Sequence, residues 1–310
     1  MVKKISFRRL KQLGDHIGER AKKVSLPLFD GVPLYDVALF FWRSIVDGSI
    51  TTRASAIAFS FFIALFPFII FLFTLIPFIK IPNFHFQEEL LLMIQQIVPP
   101  STFETIEDTL VEIIMKQRGG RLSINFFAAL FFATNGLASM MSAFDATVHS
   151  IHRRSWWSQR VTAVYLLIIL TVLLTVAIAL LTGGQEFINY LARIHIIRDD
   201  FLVVLLTISK WIVTVALFFF AYAFLYYMAP AKKTKWRFIS AGGTLTTVLS
   251  IIGLGGFSYY INNFSQYNAL YGSIGTLLII LFLMYVMSLI LLVGFELNAS
   301  IYQARSNLED

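Results

Sequence analysis

SAIAFSFFIALFPFIIFLFTLIPFI, residues 55–79, carries no charged side chain. About 20 apolar residues suffice for an α-helix to cross ~30 Å of hydrocarbon, and this run is longer. Inside a bilayer no water satisfies the backbone N–H and C=O groups, and barrel strands are short segments of alternating polarity, so a run of this length reads as a helix. Five further runs with few or no charges follow at 124–148, 161–183, 203–229, 238–261 and 273–298. The chain is therefore predicted to be all-α, a polytopic membrane protein with six transmembrane helices.

Composition agrees. With 310 residues, 57% apolar and 14% charged, the chain has too little charge to cover a water-soluble globule. It has no cysteine, which excludes disulfides, thiolate zinc sites, iron-sulfur clusters and cysteine nucleophiles. The first 30 residues are basic and lack a continuous apolar core, so no cleavable signal peptide is expected.

The net charge of +7 is distributed by topology. Ten of the 25 basic residues precede or include Arg53; Arg153, Arg154 and Arg160 follow the second run, and Lys232, Lys233, Lys235 and Arg237 follow the fourth. These segments share one side if the helices alternate. The loop 80–121 carries Glu88, Glu89, Glu104, Glu107, Asp108 and Glu112, whereas 262–272 has no charge. The positive-inside rule then places both termini in the cytoplasm and 80–121 outside. Basic loops of this kind are weak evidence for nucleic acid, and none is expected as a partner.

Three parts are expected: a basic tail 1–33, a membrane domain 34–303 and a short C-terminal tail 304–310. In the first, Leu10, Leu13, Ile17, Ala21 and Val24 recur at helical spacing among Lys and Arg, which suits an amphipathic helix on an anionic leaflet or a solvated tail. Residues 34–46 place Leu34, Val37, Ala38, Phe41 and Ile45 on one face, an interfacial elbow before the first span. In the outer loop Pro99-Pro100 ends one amphipathic stretch, and Ser101 with Glu104 forms a capping box that opens another.

An ionisable group at a span's centre costs about 2.5–3.5 kcal/mol, so each needs a reason. Arg53 opens the first span, Asp145 lies late in the second and Glu296 late in the sixth, all at similar depth. One cation between two carboxylates is expected there, as a gate or as a helix-end clasp. Asn135, Ala138, Ser142, Asp145 and His149 share one face of the second helix. Arg53, Ser60, Pro67 and Thr74 recur every seven residues along the first, and Pro67 removes a backbone donor at mid-span. Gly242, Thr246, Ser250, Gly253 and Gly256 form a small-residue face on the fifth, suited to close packing or to sliding. The uncharged turn after it holds Asn262, Asn263, Tyr267, Asn268 and Tyr271, which fit an outer-side site for a head group or sugar hydroxyl, or an interfacial belt.

No catalytic residue, metal site or cofactor is expected. The five histidines are scattered, and the chain has no HExxH, no GxxxxGK[ST], no GxSxG and no clustered acid pair.

RASAIAFSFFIALFPFIIFL at 53–72 and YNALYGSIGTLLIILFLMYVMSLILLVGFELNA at 267–299 resemble the two most distinctive stretches of the bacterial YihY/BrkB family, once misnamed ribonuclease BN. The resemblance covers roughly 35–303. Its main elements are Arg53, Ala54, Ala58, Phe59, Pro67, Tyr271, Gly272, Gly275, Tyr285, Gly294, Glu296 and Asn298. It implies an inner-membrane protein of a family linked by name to serum resistance and to transport, and it adds Tyr285 and Asn298 to the candidate cavity or gate residues.

The leading functional expectation is a transporter or lipid-type translocator of unknown substrate, with a cavity between the first, second, fifth and sixth helices lined by the polar faces above. Its partners would be membrane lipids and a small solute or lipid substrate. The alternative is a noncatalytic scaffold that anchors an envelope protein through the outer loop. A membrane-bound ribonuclease is disfavoured.

Overall fold

The computed structural model describes residues 25–26, 28–29, 31–47, 49–75, 111, 121–146, 154–194, 200–231, 238–264 and 273–309. Among the described residues seven helices follow in order: α1 Leu34–Asp47, α2 Ile50–Leu75, α3 Arg121–Asp145, α4 Trp156–Arg193, α5 Asp200–Met228, α6 Ala241–Phe264 and α7 Ser273–Glu309. No strand occurs among the described residues. Six helices, α2 to α7, are long and apolar enough to cross a membrane. The proposed helices of the N-terminal tail and the body of the outer loop lie outside the described residues.

The helices are longer than their apolar centres. With 38 residues, α4 extends about 57 Å at 1.5 Å per residue, more than a bilayer with its head groups. Gly183 and Gly184 do not interrupt it; the stem of Lys210 from α5 lies against Gly184, filling the space where a Cβ would stand. In the same way α7 continues as a helix through Glu309, past the expected start of a tail at 304. α2 runs unbroken through Pro67.

Phe59, Ile63, Phe66 and Ile70 are exposed along α2, as are Ile208, Trp211, Ile212 and Val215 along α5, the apolar exterior that lipid covers. The main core joins α2, α3, α4, α5 and α7 through Ile57, Met140, Phe144, Leu166, Tyr226 and Leu292. Phe144 and Phe295 stack face to face at 4.0 Å between centroids, fixing α3 against α7. Gly136 lets α3 approach α2, since a Cβ there would lie 2.5 Å from the Phe61 ring.

A second core forms at the other surface of α7. Phe29, Val32 and Val37 pack with Ala241, Ile301 and Ala304, so α1 is held by the C-terminal part of α7. The buried face of α1 differs slightly from the expected one: Ala38 is exposed and Ser44 is buried. Rotating the helix to place Val37 under α7 accounts for both.

Candidate functional site

The starts of α2, α4 and α6 and the ends of α3, α5 and α7 meet at one end of the bundle, as alternating spans require. This end carries Arg53, Arg154 and Arg160 and is termed the basic end. Arg53, in the first turn of α2, donates from Nη2 to Glu296 Oε1 of α7 at 2.5 Å and from Nη1 to the Ala143 carbonyl of α3 at 3.0 Å. Glu296 is 1% exposed and Arg53 10%. One cation thus neutralises a buried carboxylate and also occupies a carbonyl in the last turn of α3, where positive charge is favoured.

Asp145 does not join this pair. Its Oδ1 accepts from the backbone N–H of Ala231 at 3.0 Å, and it interacts electrostatically with Arg154. Arg154 in turn donates to Thr162 Oγ1 and to the carbonyls of Met228 and Pro230 at the end of α5. The expected three-membered cluster is therefore two separate sites. The three groups share a depth, but Asp145 projects from α3 toward the α4–α5 side, and Glu296 reaches the bundle from α7.

The polar stripe of α3 is likewise used within the protein. Gln159 of α4 donates to Ser142 Oγ and to the Ala138 carbonyl, both at 2.8 Å. Arg160 donates from Nη1 to Asn135 Oδ1 at 2.9 Å, Thr134 Oγ1 at 2.7 Å and the Phe131 carbonyl at 3.1 Å. Its guanidinium also lies over the Phe131 ring, 4.1 Å from the centroid. Asn135, Ser142 and Asp145 therefore face the start of α4 and the end of α5 instead of a cavity shared with α2. Sequence reading left Arg160 in a loop and did not mark Gln159 or the buried Lys210, whose ammonium is 5.5 Å from the Trp211 ring centroid. The available signal was the spacing on α4: a Gln-Arg pair in its first turns can meet a stripe on the preceding helix.

A cavity of about 360 Å³ lies among α2, α3, α4, α5 and α7. Phe61, Phe68, Leu137, Leu167, Leu174 and Met287 are among its walls, with hydroxyls from Thr171, Tyr222 and Ser288. Two of these hydroxyls are engaged, Tyr222 with Ser250 Oγ at 2.7 Å and Ser288 with the Met284 carbonyl at 2.7 Å. Thr171 Oγ1 is buried without a partner among the described residues. None of Arg53, Ser60, Pro67, Asn135, Ser142, Asp145, Tyr285, Glu296 and Asn298 lines this space, and α6 contributes nothing to it. The cavity is built from different helix faces than expected and is apolar, because the polar groups are consumed in helix-to-helix bonds.

Asn298 shows the same economy. Its Oδ1 accepts from Gly242 N at 2.8 Å and its Nδ2 donates to Ser240 Oγ at 3.0 Å, capping the start of α6. Tyr285 is half-buried against the main core; Ser60 and Pro67 are half-buried on α2. Gly242, Thr246, Ser250 and Gly253 pack inward, whereas a Cβ on Gly255 or Gly256 would meet nothing within 4 Å. Tyr267, Asn268 and Tyr271 and the side chains of Asn262 and Asn263 lie outside the described residues.

The sequence model of the family described as Virulence factor BrkB matches residues 41–310. The chain belongs to the BrkB family. The match takes in α2 to α7, and hence Arg53, Glu296 and the whole apolar cavity. The putative ribonuclease-like protein YfkH of Bacillus subtilis is 29% identical over 259 residues, 84% of this chain and 92% of its own length. A UPF0761 membrane protein of Idiomarina loihiensis is 28% identical over 166 residues, 52% of this chain and 56% of its own. Another, from Aliivibrio salmonicida, is 24% identical over 275 residues, 88% and 85% of the two chains. No solved structure matches the chain.

Proposed function

We propose that this BrkB-family protein is a noncatalytic, lipid-type translocator of the bacterial inner membrane, with both termini in the cytoplasm. The observation that carries this reading is the cavity of about 360 Å³, surrounded by helices from five of the six spans and lined almost wholly by apolar side chains. The one unpartnered hydroxyl among the described residues of its wall, that of Thr171, is too little to replace the hydration shell of an ion or sugar. An acyl chain or another apolar moiety needs no such replacement and is abundant around the protein.

The orientation rests on the lysine and arginine asymmetry of the loops. The noncatalytic reading rests on the absence from the sequence of a nucleophile motif or a clustered acid pair. The word ribonuclease in the name of the Bacillus relative describes that protein alone. Purified protein in liposomes tests the proposal. Fluorescent phospholipids should exchange between leaflets faster than in protein-free vesicles, and Ala133→Phe and Leu174→Trp, which fill the cavity, should reduce that rate at least about tenfold in folded protein. Exchange no faster than in empty vesicles across a panel of lipids, or wild-type rates in both variants, would reject it in favour of the scaffold.

A further inference from the structure

We propose that Arg160, at the basic end of α4, binds the phosphate of an anionic phospholipid. Among the described residues, every hydrogen bond of Arg160 leaves from Nη1 and ends on a neutral acceptor: Asn135 Oδ1, Thr134 Oγ1 and the Phe131 carbonyl. No carboxylate pairs with it among the described residues. Two further cations of this end are used differently, Arg53 on Glu296 and Arg154 on the end of α5 beside Asp145. Arg160 therefore carries an uncompensated charge at the start of a membrane span, an arrangement that requires an anion or water.

The geometry favours an anion with two oxygens. Nε and Nη2, whose N–H bonds point side by side, have no protein acceptor among the described residues. That pair matches two phosphate oxygens. The plane of the guanidinium is held by Phe131 at 4.1 Å and Trp156 at 5.5 Å from the ring centroids, so the fork is oriented before a ligand arrives.

The surroundings select a lipid over a soluble phosphate. Phe132, Trp156 and Trp157 are exposed at 51%, 51% and 74% around this position. In a bilayer such rings lie against lipid, with tryptophan at head-group depth, so a phospholipid phosphate is already adjacent while a free ion would have to displace lipid to enter. A head group without its own cation gains most from the neighbouring basic loops. The site is separate from the proposed translocation cavity: Asn135 and the cavity-lining Ala133 lie on opposite faces of α3.

The test is native mass spectrometry of the detergent-purified protein given equal amounts of dioleoylphosphatidylglycerol and dioleoylphosphatidylcholine. Wild type should retain the anionic lipid about tenfold over the zwitterionic one. Arg160→Gln should bring the two to parity, while Arg193→Gln, which changes an exposed cation at the other end of α4, should keep the preference. Because Arg160→Gln also removes three internal bonds, a second arm leaves Arg160 in place: p-benzoylphenylalanine at Phe132 should photo-cross-link phosphatidylglycerol about tenfold over phosphatidylcholine. Equal retention by wild type, an undiminished preference in folded Arg160→Gln, or equal cross-linking overturns the proposal. So does displacement of the phosphatidylglycerol adduct by excess inorganic phosphate, which would assign the site to the free ion.

Discussion

Glu296 is among the most deeply buried side chains of the protein, and Arg53 lies against it from the far end of the chain. Removing one partner of such a pair strands the other charge, at about 3–5 kcal/mol, whereas replacing both with apolar groups is often close to neutral. Glu296→Ala and Arg53→Ala should each lower thermal stability in detergent sharply, and Arg53→Leu with Glu296→Leu should recover much of the loss. A double variant as unstable as the worse single one would show that the pair is not the source. Asn135→Leu takes an acceptor from Arg160 and should cost about 1–3 kcal/mol, seen as a lower melting temperature. Lipid exchange by the folded fraction should persist, because Asn135 does not touch the cavity. The sequence made the depth of Arg53, Asp145 and Glu296 legible, because depth follows from position along a span. It did not reveal partners, since which neighbour a side chain meets depends on the order of the helices around the bundle.

α6 and α7 cross closely at two glycines. A Cβ on Gly294 would collide with Thr246 Oγ1 and lie 2.7 Å from Tyr226 Oη; one on Gly242 would collide with the Gly294 carbonyl. Tyr226 ties the crossing to α5 by bonding Thr246 Oγ1 at 2.5 Å and the Leu291 carbonyl at 2.7 Å. Gly242→Ala and Gly294→Ala should therefore destabilise the protein by about 1–3 kcal/mol or prevent its accumulation, while Gly255→Ala and Gly256→Ala should be neutral or better because their Cβ positions are open. Membrane abundance of the four variants checks this, and equal abundance would remove the crossing's special role. The small-residue spacing on the fifth span was readable from the sequence. That its contacts end short of Gly255 and Gly256 was not, because spacing reports which residues share a face and says nothing of how far a neighbour runs alongside.

At the scale of the whole molecule, six spans were legible because the bilayer imposes length and polarity on each one separately. The cavity was not, since it forms where five helices leave space between them, a property of no single segment. The absence of cysteine gives a clean background for testing orientation. Asp108→Cys and Thr234→Cys should react with an impermeant thiol reagent from opposite sides of the membrane, and labelling from the same side would reject the six-span arrangement. The ion pair joins residues 243 positions apart, one in the first span and one in the last. During synthesis on the ribosome, Arg53 therefore enters the membrane long before Glu296 exists. The nascent protein must hold that charge unmatched through the insertion of four intervening helices, so a chain cut short before residue 296 should present a feature by which the cell's proteolytic surveillance can distinguish unfinished copies from finished ones.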